Sequence, residues 1–203
     1  MHASDTPRAR RAALALAGLG IASHVAAVLV AASRTHGFIA GSHPVAVLGA
    51  DGVPGATAFN LFAFVVPGAC AALCAWWLRA AFDPHAPWPL RIGAHMLLLA
   101  GLAFAAQGVW PLDLDELDGG RSRGHATAWM LWAVSAIAGG LAVSIGLAMQ
   151  RDMRIAAACA TATLLVLAAA AGWIALDAGH AQRVGVAAWG VLAVLPAASR
   201  HVR

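Results

Sequence analysis

Ala12–Ser33 runs for 22 residues without one Asp, Glu, Lys or Arg. As a helix it is about 33 Å long, enough to cross the roughly 30 Å hydrocarbon core of a bilayer. Five further apolar runs follow: Thr57–Leu78, Leu90–Trp110, His125–Met149, Ile155–Leu176 and Val184–Ser199. Only 11% of the 203 residues are charged, and mean hydropathy is +0.76, so a bilayer has to cover the apolar exterior. The expected fold is therefore all-α: a polytopic membrane protein of six helices in one bundle, forming a single integral membrane domain over residues 1–203. A basic leader before an apolar run also describes a signal peptide, and Ala31–Ser33 is small enough for cleavage. The first run exceeds the usual 7–15 residues of such a segment, so it is expected to be a retained helix.

Arginine carries the whole of the positive charge, because the chain has no lysine. With the N-terminus cytoplasmic, that side holds Arg8, Arg10, Arg11, Arg79, Arg91, Arg151, Arg154, Arg200 and Arg203. The other side holds Arg34, Arg121, Arg123 and Arg183. Nine against four puts both termini in the cytoplasm and predicts a multi-pass protein of a prokaryotic inner or plasma membrane. Set beside apolar runs, these arginines are topology signals and lipid-headgroup contacts, and no nucleic-acid surface is expected. Membrane lipids are the expected partners, with a homo-oligomer as an option. Trp76, Trp77 and Trp88 are placed at the inner interface and Trp110, Trp129 and Trp173 near the outer one. Ser135, Gly139, Gly140 and Ser144 predict close packing in the fourth span. Cys70, Cys74 and Cys159 lie inside apolar runs and are assigned to packing rather than to disulfides.

Polar chemistry concentrates in Gly108–His125, which holds four of the nine acidic residues. Within the spans, His24, His95 and Gln107 are costly unless they face the bundle. His24 lies about 18 Å from the inner end of its helix and His95 some 7–8 Å. No two histidines match in depth as haem ligands, so haem is disfavoured. For His24, a neutral imidazole hydrogen-bonded to a neighbouring helix is favoured over a ligand role. On the outer side His36, His43, Asp113, His125 and His180 are candidate metal ligands, and zinc is the metal they would suit. No tight ligand spacing supports a particular set, so the cofactor stays unknown.

The segment Gly108-Val-Trp110-Pro111-Leu-Asp113, followed by His125, resembles the G-x-[aromatic]-P-x-D…H pattern of an uncharacterised six-helix prokaryotic membrane family, catalogued as domain of unknown function 998. His43-Pro44-Val-Ala-Val-Leu48-Gly49-Ala50, then Gly52, Pro54 and Phe59-Asn60, is similar to that family's first outer loop. Ala46-Val47 stands where many members have Ser-Glu, and Leu112 where many have Cys. The resemblance implies no established reaction. It selects Asp113 and His125 as candidate catalytic residues, with Asn60, His43 and Trp110 as candidate substrate contacts, and leaves Asp115, Glu116 and Asp118 as solvated loop. A carboxylate near an imidazole can fix its tautomer and raise its basicity. The expected function is lipid handling at the outer interface, by binding or by hydrolase or transferase chemistry. The alternatives are a small transporter or channel subunit using His24 and Gln107, and a non-catalytic membrane scaffold.

Overall fold

Glycine or proline follows within three residues of every helix end except that of the fourth helix, where Arg151 takes the left-handed conformation (φ 60°). The computed structural model describes residues 6–199, so Arg200 and Arg203 of the basic tail lie outside the described residues. It contains six helices long and apolar enough to cross a membrane. These are α1 (Thr6–Arg34), α2 (Ala56–Ala81), α3 (Trp88–Val109), α4 (Gly120–Met149), α5 (Met153–Ala170) and α6 (Ala178–Val194). A 3-10 turn, Leu195–Ala198, extends α6. Residues 35–55, 110–119 and 171–177 cluster at one end of the bundle, here termed the loop face. The turns at 82–87 and 150–152 lie at the other end, the terminal face.

Three of the boundaries that differ from the sequence expectation bear on the loop face. The fifth helix ends at Ala170 rather than Leu176, because Gly172 takes the left-handed conformation (φ 69°). Its N–H bonds Ala169 O while that of Trp173 bonds Ala168 O, the paired closure that terminates many helices at glycine. The sixth helix starts at Ala178 rather than Val184, after an extended Asp177 whose carbonyl accepts from Ala181 N. That shift moves Arg183 from the expected loop into the helix. The fourth helix starts at Gly120, so His125 lies more than a turn inside it.

Helix neighbours follow chain order, α1 on α2, α2 on α3, α3 on α4, α4 on α5 and α5 on α6, whereas α6 meets α1 only sparsely. Small residues set the close crossings. A Cβ at Gly93 would fall 2.9 Å from Gly139 O, and one at Gly140 would meet Thr163 and Leu192. Gly139, Gly140 and Ser144 are buried as the sequence pattern in the fourth span predicts. The three cysteines are free and buried. Trp76, Trp88 and Trp173 are exposed, as interface anchors would be. Trp129 is half-buried and packs on buried Trp132, ring centroids 6.3 Å apart.

The second helix carries a π turn, Leu61–Val65, just ahead of Pro67. Proline has no N–H for the carbonyl four residues back, so Ala63 O loses its helical partner. The widened turn sends Val66 N–H to Leu61 O and frees Phe62 O as well. Two side chains of α1 satisfy these carbonyls: Ser23 Oγ donates to Phe62 O at 2.6 Å and His24 Nδ1 to Ala63 O at 2.7 Å. His24 thus has a structural use within the membrane, the kind of interhelix bond favoured for it from the sequence.

Candidate functional site

The long connection after α1 does not stand free of the bundle. Val45–Gly49 forms a 3-10 turn whose Val45, Ala46 and Leu48 are buried against Phe59, Phe64 and Phe104. It plugs the loop face. Buried Asn60 donates from Nδ2 to Gly49 O at 2.8 Å, and Gln182 Oε1 accepts from Val45 N. Asp51 N bonds Leu112 O, and its carboxylate pairs with exposed Arg121. Asn60 therefore fastens the plug. Asn60→Leu is expected to leave Gly49 O unsatisfied at a cost of about 1–3 kcal/mol. The check is a lowered melting temperature together with faster protease cleavage within residues 35–55. A wild-type melt and cleavage rate would refute this role.

The other sequence-selected residues of the loop face are also engaged with backbone. Asp113 Oδ1 accepts from the amides of Asp115 and Glu116 at 3.0 and 3.1 Å, closing its own turn. Ser122 Oγ lies 3.0 Å from both Asp113 N and Asp113 O, which ties that turn to the first turn of α4. Buried His125 places Nδ1 3.0 Å from Gln107 O and 3.0 Å from Trp110 O. Carbonyls only accept, so the ring proton sits on Nδ1 and Nε2 keeps its lone pair. Two carbonyls at the end of α3, and not Asp113, set this tautomer; no hydrogen bond joins the two residues. The Trp110 ring lies against Gly124. His43 Nδ1 accepts from Ile39 N at 3.1 Å and closes the loop it belongs to.

Other expected clusters do not assemble. Among the described residues no three His, Cys, Asp or Glu side chains come together to hold a metal ion, so His36, His43, Asp113, His125 and His180 do not form one site. His95 is exposed on α3 and bonds Arg91 O, turned away from the bundle. Gln107 is 1% exposed and its Nε2 has no hydrogen-bond partner, and neither has the indole N–H of buried Trp132. Both belong to the half of the bundle where Phe64, Phe104, Trp132 and Trp189 stack, with centroids 4.7–5.8 Å apart for the Phe104 pairs.

A groove opens where α1 and α6 fail to close against each other. Its volume is about 490 Å³, within the range of small-molecule sites. Gly20, Ile21, Val25 and Leu29 line one wall, Val186, Gly190 and Ala193 the other, and Phe104, Trp189 and Pro67 contribute to its lining. Along α1 it reaches from Ala17 to Leu29, about 18 Å, and along α6 from Arg183 to Ala193, about 15 Å. Half of a roughly 30 Å hydrocarbon core is about 15 Å, so the groove has the length of one leaflet. A smaller cavity of about 330 Å³ lies on the far side of α1, between it and α2, and includes Arg34. Neither cavity is lined by Asp113 or His125.

Two polar side chains besides backbone reach the larger groove: His24 and Arg183. Arg183 Nη1 donates to Ala40 O and Gly179 O, and its guanidinium carbon lies 5.8 Å from the Phe38 ring centroid. These contacts hold the head near the loop face, because Gly179 fits directly under residues 40–43. Arg183 Nη2 is buried and has no partner. Arg183, Trp189 and Gly190 were not among the sequence-selected residues. The available signal was Asp177, a helix-starting residue type, followed by Ala-Gly-His-Ala-Gln with no proline to delay the helix. No family model, curated protein or solved structure matches this chain.

Proposed function

We propose that this chain is a membrane-embedded lipid-binding protein that takes one acyl chain into the groove between α1 and α6. The observation that carries this reading is an apolar groove one leaflet long, with a single cation at its loop-face end. Arginine asymmetry supports cytoplasmic termini in a prokaryotic inner or plasma membrane, which would make the bound lipid one of the outer leaflet. Binding is favoured over hydrolysis or group transfer. The Asp113 carboxylate, Asn60 and His43 are each hydrogen-bonded to backbone of the loop face, as is Nδ1 of His125, and these bonds build the roof of the bundle. Membership of the family that the Gly108–Asp113 motif resembles belongs to the same proposal and adds no reaction to it.

Gly190 provides the test. A Cβ there would meet only Ile21, at ordinary contact distances of 3.5 and 3.6 Å, so a larger side chain enters the groove without moving backbone. Native mass spectrometry of gently solubilised protein is expected to show one retained lipid per chain, lost in Gly190→Phe while the melting temperature holds. Equal lipid retention by Gly190→Phe and wild type would overturn the proposal.

A further inference from the structure

We infer that the groove's ligand is a long-chain fatty acid, its carboxylate paired with the guanidinium of Arg183; this rests on the lipid-binding reading above and names the headgroup. Arg183 lies one turn into α6, about 8 Å from the start of that membrane-spanning helix. An arginine in a membrane-spanning helix is commonly paired or serves a ligand. Among the described residues no carboxylate lies within ion-pair distance of it, the one ion pair being Arg121 with Asp51. Its Nη1 is already occupied by Ala40 O and Gly179 O, whereas Nη2 is buried and unpartnered. The guanidinium therefore carries one donor with no partner in the protein, on a residue that lines the end of a groove that holds one chain. That is the complement of a single negative charge on a single acyl chain.

The roof over the arginine narrows the choice of anion. Phe38 stacks near the guanidinium, and Ala40 and Gly41 lie directly above the start of α6, with Gly179 N donating to Gly41 O at 2.8 Å. Cβ-sized space at Gly179 is already filled by the carbonyls of Ala40, Gly41 and His43. A carboxylate needs only the width of its chain beneath this cover. A phosphodiester carries its glycerol and further head atoms as well, a larger head to fit beside residues 38–43. The floor contributes no carboxylate: His24 directs Nδ1 to Ala63 O, and the remaining lining is apolar.

Trp189 lines the groove, so an acyl chain brominated near its middle should quench tryptophan emission on binding. The experiment titrates detergent-solubilised full-length protein with a brominated fatty acid and with its methyl ester. Saturable quenching is expected with the acid, with the ester at least roughly tenfold weaker. Arg183→Gln should weaken the acid by a similar factor and leave the ester unchanged. Because Arg183 also ties down Ala40 O, Arg183→Lys is included; it retains the charge and should recover part of the acid's affinity. Trp189→Phe should lower the quenching amplitude. Acid and ester binding equally well to the wild type would overturn the carboxylate assignment while leaving the groove in place. Tighter competition by a brominated phosphatidylglycerol than by the acid would overturn it in favour of a phosphodiester. Saturable quenching that Gly190→Phe does not reduce would overturn the groove itself.

Discussion

Gly68→Leu and Gly101→Leu are each expected to prevent the bundle from assembling. These glycines lie where α2 crosses α3. A Cβ at Gly68 would fall 2.6 Å from Gly101 O and 2.8 Å from Ala105 Cα, and one at Gly101 would fall 2.9 Å from Ala72 Cα. The obstructing atoms are backbone, which cannot rotate aside as a side chain can. Overpacking a core that can adapt costs about 1–3 kcal/mol, and this crossing should exceed that range. Within a bilayer, lipid tails are as apolar as the helix surfaces, so close contact is most of what holds α2 on α3. The check is the monodisperse gel-filtration peak and the cooperative melt in detergent, both expected to be lost. Gly18→Leu is the control, because nothing lies within 4 Å of a Cβ at that position. A wild-type melt for Gly68→Leu would show that the crossing is looser than described.

His24→Ala is expected to destabilise the protein by about 1–3 kcal/mol, because it leaves Ala63 O without a donor away from water. The demand for that donor originates at Pro67. Pro67→Ala restores an N–H to the chain and should reduce the cost of His24→Ala, with a coupling energy on the order of 1 kcal/mol. A double-mutant cycle on thermal or denaturant unfolding measures it. Additive effects would mean that the histidine serves something other than the proline-broken helix. A transporter role for His24 makes a different forecast, namely an activity change with little loss of stability.

Some of this was legible because it depends on local composition alone. Six apolar runs, five of them long enough to cross a bilayer and all almost free of charge, leave the backbone few ways to satisfy its hydrogen bonds, and helices result. Close packing at Gly139, Gly140 and Ser144 followed from their size and spacing, and the burial of Cys70, Cys74 and Cys159 from their apolar neighbours. The candidate site was legible only in its residue types. Asp113 and His125 stand close in the chain order of polar groups, yet Asp113 turns its carboxylate to Asp115 and Glu116, and His125 turns to carbonyls of α3. Nothing in their spacing distinguishes those partners from each other, since backbone acceptors are present everywhere along a sequence.

Arg183 marks the division most clearly. Hydropathy placed it in a loop, because a charge at the edge of an apolar run is normally read as the end of the run. Helix α5 stops early at Gly172, α6 starts early at Ala178, and the arginine is drawn a turn into the membrane-spanning helix. Its surroundings then come from residues far away in sequence: Phe38 and Ala40 from the loop after α1, and His24, which shares the groove lining, from α1 itself. Local composition is enough to form six helices and to choose the small residues that let them approach. That α1 and α6 stand apart follows from the packed bundle, because a gap between helices is a property of crossing geometry, and no single helix encodes it.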